Sequence, residues 1–195
     1  MLAIQKDKYW TYEDYCGLPE DGNRYEVVDG VLYTSPSPAS IHQALSKYLQ
    51  FQLYGLELAG HGWVFAAPMD VVMPGATPVQ PDLIFVLTGQ RHILTPENIQ
   101  GVPYLLVEIL SPKGARYDRV TKLNKYAQCG VAHYWLLDPR ERTLELFRLE
   151  NGTYRLLAAL ETGSHFVHSD FFDLKLDVAE LFERIPSEIN PDPEP

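Results

Sequence analysis

Two carboxylates stand at or inside apolar runs of this chain: Asp82, which opens DLIFVL, and Glu108, within YLLVEIL. Runs of that kind read as strands buried in a sheet. A buried carboxylate without a partner is costly, so it takes up a proton or meets a metal ion, a cation or a set of donors. If the two strands are neighbours, both carboxylates converge at one point of the sheet, and like charges that close call for a divalent cation between them. Oxygen-only ligands suit magnesium or manganese rather than zinc. The chemistry this supports is metal-assisted hydrolysis, in which the cation activates water and polarises a phosphate. Each residue also has a plainer role, Asp82 as a strand-end acceptor of turn hydrogen bonds and Glu108 as half of a structural ion pair.

Lys122 is the third residue with chemistry within reach. It belongs to YDRVTKLNKYAQCG, where about 100° per residue puts Val120, Leu123, Tyr126 and Ala127 on a buried stripe. Lys122 then lies at the edge of that stripe beside Tyr126, and Lys125 falls further toward solvent. From the edge, its ammonium can point back over the sheet toward Glu108, to hold a water or offset charge on a phosphate. The alternative is a snorkelling lysine paired with Asp118 four residues earlier.

The elements that must position these residues are legible in outline. TYEDYCGLP reads as a short helix, and RYEVVDGVLYTS as two strands turning at Asp29-Gly30. SIHQALSKYLQFQLYGLEL spaces Ile41, Leu45, Tyr48, Leu49 and Gln52 as a helix, with Ser40 as the expected N-cap. WVFAAPMDVVM and VQPDLIFVL form an expected hairpin across PGATP, followed by the strand PYLLVEIL. After the second helix, closed by Gly130, come HYWLLD, TLELFRL and YRLLAAL, then a helix near DVAELFERI, where Asp177 and Glu180 have capping-box spacing. The central order is helix, three strands, helix, strand, with strands added at both ends, which is an α/β sandwich around a mixed sheet. We read one domain over residues 1–185 and a disordered, acidic, proline-rich tail over 186–195.

Composition narrows the function classes. At 195 residues and 46% hydrophobic, the chain builds one core, and no uninterrupted apolar stretch of membrane-spanning length occurs. With charges in the first ten residues and no signal-peptide core, a cytoplasmic location is the expectation. Two cysteines without CxxC or Cys/His companions suggest neither a disulfide framework nor a zinc knuckle. The net charge of −10 would argue against nucleic acid if evenly spread, but it sits at the two ends, and residues 31–169 carry eleven charges of each sign. Within that stretch SPKGARYDRVTKLNK sets five cations against Asp118, directly after the strand of Glu108.

The run PD (81, 82), the ExL of 108 to 110 followed by SP, YDRVTKLNKY and a strand ending LLDP together resemble the Uma-two family, a branch of the PD-(D/E)XK nuclease superfamily. The resemblance runs from RYEVVDG through LFRL. It implies a restriction-endonuclease-like core with Asp82 and Glu108 as metal ligands. The lysine that most of the superfamily carries two residues after the glutamate is Leu110 here, and the resemblance maps its role onto Lys122 of the following helix. Glu26 in RYEVVDG matches a further acidic position, as an added metal or water ligand or as a hairpin glutamate paired with Arg24. His42 also matches the pattern, against the plainer role of a packed histidine, and Tyr126 is expected to pack or to hydrogen-bond Glu108.

The expected function is a divalent-metal-dependent endonuclease acting on DNA, with Mg2+ or Mn2+ held by Asp82, Glu108 and the backbone carbonyl of Ile109, and Lys122 as the electrostatic partner. Arg116 and Arg119 are the expected phosphate contacts. The rival is an inactive nuclease-fold binding or interaction module in which Glu108 and Lys122 are merely paired. A two-carboxylate glycosidase finds no other support in the sequence. The apolar added strands YWLLD and LELFRL suggest a homodimer.

Overall fold

The computed structural model describes residues 3–74 and 78–190; residues 75–77 of the PGATP loop and 191–195 of the tail lie outside the described residues. Strand β1 (Ala3–Gln5) is followed by α1 (Tyr12–Cys16), which starts on a capping box between Thr11 and Asp14. Strands β2 (Arg24–Val28) and β3 (Val31–Ser35) form the expected hairpin. Its turn residues Asp29 and Gly30 have φ of 51° and 74°, the two positive values that a two-residue hairpin loop demands. Gly30 is required twice over, because a Cβ there would stand 2.2 Å from the Tyr9 ring. β1 pairs with β3, making a small three-stranded sheet.

Helix α2 (Ser40–Leu58) buries Leu45, Leu49, Leu53 and Leu56, one residue per turn. Ser40 is not its cap: Ala39 holds that position without a side-chain hydrogen bond, and Ser40 is already helical. Strands β4 (Gly62–Ala66), β5 (Val71–Val72), β6 (Leu83–Leu87), β7 (Ile99–Gln100) and β8 (Leu105–Ile109) follow. The expected hairpin is re-drawn here. WVFAAPMDVVM does not run as one strand: β4 pairs with β6, whereas β5 leaves the main sheet to pair with β7. The break falls at Ala67-Pro68, where proline removes a ladder donor.

After β8 the chain enters a π-helical segment, Tyr117–Lys122, continuous with α3 (Leu123–Cys129), which ends at Gly130 with φ of 85°. Then come β9 (His133–Asp138), β10 (Thr143–Glu150), β11 (Thr153–Glu161), the short hairpin of β12 (His165–His168) with β13 (Leu174–Asp177), and α4 (Val178–Glu183). Asp177 caps α4 by accepting from the Glu180 N–H at 3.1 Å, while the Glu180 carboxylate turns to Arg184 instead of completing a box. Residues 186–190, expected to belong to a disordered tail, form turns in which Ile189 packs against the core; the rest of that expected tail, 191–195, lies outside the described residues.

The main sheet has the order β11-β10-β9-β8-β6-β4, with β8 and β9 parallel and every other pair antiparallel. Alternate residues of its strands feed two cores. Leu83, Phe85, Leu105, Val107 and Trp135 face α2, α4 and β13. Ile84, Val86, Leu106, Leu110, Tyr134 and Leu136 face α3 and the β2–β3 hairpin. The apolar side chains of β9 and β10 that suggested a homodimer, among them Tyr134, Trp135, Leu144 and Leu146, are buried within the one chain. No helix among the described residues is long and apolar enough to cross a membrane.

Candidate active site

β6 and β8 are neighbours in the register Leu83↔Val107, which carried one step outward sets Asp82 across from Glu108. Both carboxylates are buried, as are Lys122 and Glu26, so the structure brings four sequence-expected residues to one place. Arg24 and His42 reach Asp82 from opposite layers. Both terminal nitrogens of Arg24 donate to Asp82 Oδ1 at 2.8 Å, and Oδ2 accepts from the Ile109 N–H at 2.7 Å and stands 3.0 Å from His42 Nε2. A carboxylate offers about four lone-pair sites. At Asp82 all of them are engaged.

Glu108 is held differently. Its Oε1 accepts from Lys122 Nζ at 2.8 Å and from the Tyr126 hydroxyl at 3.0 Å. Lys122 Nζ also lies 2.9 Å from Glu26 Oε1 and 3.6 Å from Asp118 Oδ1, and Glu26 accepts from the Gln80 N–H. Lys122 therefore does not sit at a stripe edge but inside a cage of three carboxylates, with the Tyr117 ring 5.2 Å away.

The π-helical segment accounts for that inward turn. The Leu123 N–H donates to the Asp118 carbonyl five residues back, which widens the helix and shifts every later residue around its axis. Val120, expected in the buried stripe, is half exposed. Lys125, expected toward solvent, is buried and pairs with Asp29 at 2.8 Å. Arg119 is tied down as well, bonded to Glu145 and to Asp138, so it moors the helix to β9 and β10. Arg116 is exposed.

Burial sets the ionisation of the group. It drives the Glu108 carboxyl well above the usual range, opposed by Lys122 and reinforced by Asp82, Asp118 and Glu26. Burial likewise lifts Asp118 to about 6, against the pull of Lys122. At Asp82 burial pushes upward too, but the Arg24 charge, the His42 hydrogen bond and the Ile109 N–H together hold it below the ordinary carboxylate value. Lys122 is disfavoured as an ion by burial, yet its three carboxylates raise its pKa and keep it charged.

Four acids, Glu26, Asp82, Glu108 and Asp118, thus face two permanent cations, Arg24 and Lys122. That formal surplus of negative charge and the oxygen donors of Asp82 and Glu108 fit a hard divalent cation. Among the described residues no three His, Cys, Asp or Glu side chains are arranged to hold a metal ion by themselves. A cation here would use two carboxylates, a main-chain oxygen such as that of Ile109, and water, which suits magnesium. It would compete with Arg24 or His42 for Asp82. Arg24 and Asp118 are the members that had no site role in the sequence. The signal for Arg24 was its position two residues before Glu26 on one strand, hence on the same face.

A mixed sheet between helices, with acids and a lysine converging at adjacent strand ends, defines a nuclease-like α/β fold. The family model described as "Uma2: Putative restriction endonuclease" matches residues 11–179. The chain belongs to this family. A solved structure from Anabaena variabilis ATCC 29413, described as a putative nuclease belonging to DUF820, is similar with a TM-score of 0.73 and 19% identity, over 89% of this chain and 98% of that one. No match is found among curated proteins.

Proposed function

We propose that this protein is a cytoplasmic endonuclease that hydrolyses DNA phosphodiester bonds with magnesium or manganese, the cation being held by Asp82, Glu108 and the Ile109 carbonyl. The observation that carries this reading is the buried surplus of carboxylate around Lys122. When bound, the cation supplies Lewis-acid activation of water and of the phosphate. Lys122, kept charged by its neighbours, cannot take a proton; it offsets negative charge developing on the phosphate. Tyr126 and Lys122 fix the Glu108 carboxylate, while His42 and the Ile109 N–H fix Asp82. Arg116, exposed beside this helix, is the remaining phosphate contact of the basic segment.

Incubation of supercoiled plasmid with the purified protein in magnesium or manganese tests the proposal. Nicking or linearisation is expected, reduced by a factor of about 100 or more in Asp82→Ala. DNA left intact across varied substrates would overturn it, as would cleavage that survives that substitution.

A second reading, an inactive binding or interaction module, is favoured by one observation: every lone-pair site of Asp82 is already engaged by protein donors. Calorimetric titration with manganese separates the two. Binding that disappears in Glu108→Ala supports the nuclease, and absence of binding supports the module.

A further inference from the structure

A pocket of about 400 Å³ opens beside Asp82, and its wall on one side is α2. From that helix His42, Gln43, Ser46, Lys47 and Gln50 face it, opposite Arg24 and the Ala66–Pro68 corner. The size is that of a small-ligand site. Its lining mixes amides and hydroxyls with apolar surface, and its charged members are Arg24, Lys47 and Asp82. The cations are Arg24 and Lys47, and Arg24 is committed to Asp82. A duplex backbone wants several phosphate-neutralising cations, so this pocket is poorly suited to one; amides and a hydroxyl suit the edges of a base.

The same face of α2 continues past the pocket. Gln43, Lys47, Gln50 and Tyr54 follow one another at i, i+4, i+7 and i+11, a single line roughly 17 Å long. Phe51 flanks it. Tyr54 is 43% exposed and Phe51 65%, large aromatic side chains on the solvent-facing side of the helix. Exposed aromatic rings near a backbone-binding cation, here Lys47 on the same line, are the platform on which unpaired bases stack.

Resting on the nuclease reading above, we infer that the site takes an unpaired DNA strand. One nucleotide lies in the pocket with its phosphate toward Asp82 and its base against Gln43, Ser46 and Gln50. The strand then runs along α2, with Lys47 near its backbone and neighbouring bases on Tyr54 and Phe51. Single-stranded or locally opened DNA is the substrate class.

Fluorescence anisotropy with a labelled thymidine 15-mer and with a hairpin duplex of equal length, both in EDTA, tests this without any cleavage. The single strand should bind at least about tenfold more tightly than the duplex. The Phe51→Ala/Tyr54→Ala double variant should lose about tenfold or more of that affinity, while Tyr54→Phe, which keeps the ring, should retain it. Circular dichroism melting of the same variants establishes that they are folded. Equal or tighter duplex binding, or single-strand affinity unchanged in the folded double variant, would overturn the inference. Ring-dependent binding by a protein that cleaves nothing would sink the hydrolytic reading and leave this one standing.

Discussion

Arg24 and Asp82 lie fifty-eight positions apart in sequence, and both terminal guanidinium nitrogens share a single carboxylate oxygen at 2.8 Å. The arginine therefore occupies the oxygen that the proposed cation would need, and offsets the charge of the buried carboxylate. Arg24→Met should lower metal-free stability by about 3 to 5 kcal/mol, since it strands a buried carboxylate. The same variant should bind manganese more tightly than the parent, by about tenfold, because a competitor for Asp82 has gone. Urea unfolding in EDTA and calorimetry read the two effects, and weaker manganese binding in the variant would count against a cation at Asp82.

Lys122 is the common partner of three buried carboxylates. Lys122→Met should cost about 3 to 5 kcal/mol, measured by chemical denaturation. Adding Glu108→Gln to that variant should recover part of the loss, since the amide removes one stranded charge. Simple additivity of the two substitutions would mean that they do not act through one another.

Saturating magnesium or manganese should stabilise the folded chain by mass action. At about a hundred times Kd the gain is about 2.7 kcal/mol, or roughly 5 to 10 °C in Tm for a chain of this length. Glu108→Gln should abolish the shift. A shift of equal size with calcium, magnesium and sodium alike would identify general screening instead of a site.

A second buried cluster makes its own contribution to the pH dependence of stability. His133 and His168 stand 5.2 Å apart ring to ring, packed among Tyr104, Trp135, Phe166 and Phe171, with Asp170 and Arg148 as their charged neighbours. Burial lowers the pKa of both, that of His133 to about 4. At these histidines the unfolded chain then binds more protons than the folded one between about pH 6.5 and 4. The histidine contribution is complete above about 6.5 and falls as pH drops through that window, by about 3 kcal/mol for His133, whereas the raised carboxyls of Asp118 and Glu108 act in the opposite sense. Thermal melts of the parent and of His133→Phe from pH 7.5 to 4 should therefore diverge, the variant lacking the His133 loss.

Gly62→Ala should destabilise without touching the site. An added Cβ would stand 2.3 Å from the Val86 carbonyl and 2.8 Å from the Phe85 ring, so β4 must move against β6. A loss of about 1 to 3 kcal/mol is expected in denaturant unfolding.

The features that local rules determine could be read directly from the chain. Asp29-Gly30, the α2 spacing, the strands of Asp82 and Glu108 and the Gly130 terminus all follow from turn chemistry and periodicity, and each lies where expected. Lys122 was placed on the correct helix but on the wrong part of its surface, because a 3.6-residue period assumes an unbroken α-helix and a π-helical segment leaves no mark in hydrophobic spacing. Arg24 was expected as a partner of Glu26 and went to a different acid. Its partner is Asp82, and a contact spanning that much sequence depends on how two sheets pack, which pattern does not encode. The same holds for the pocket along α2, whose polar residues look in sequence like any solvated face.

The Leu123-to-Asp118 bond that widens the helix has a consequence in counting. A π-helical turn amounts to one residue inserted into an α-helix. Were the ordinary pitch to return with Val120 still in place, every side chain of the site would be present, but Lys122 and Tyr126 would turn by roughly 100° relative to Asp118 and the acid–lysine cage would be dismantled. Removing one residue together with the extra turn would instead leave the two halves of the helix in about the same relation. The pitch between Tyr117 and Leu123 is thus as much a determinant of this site as residue identity. A homologue one residue shorter there would form the same cage on an ordinary α-helix.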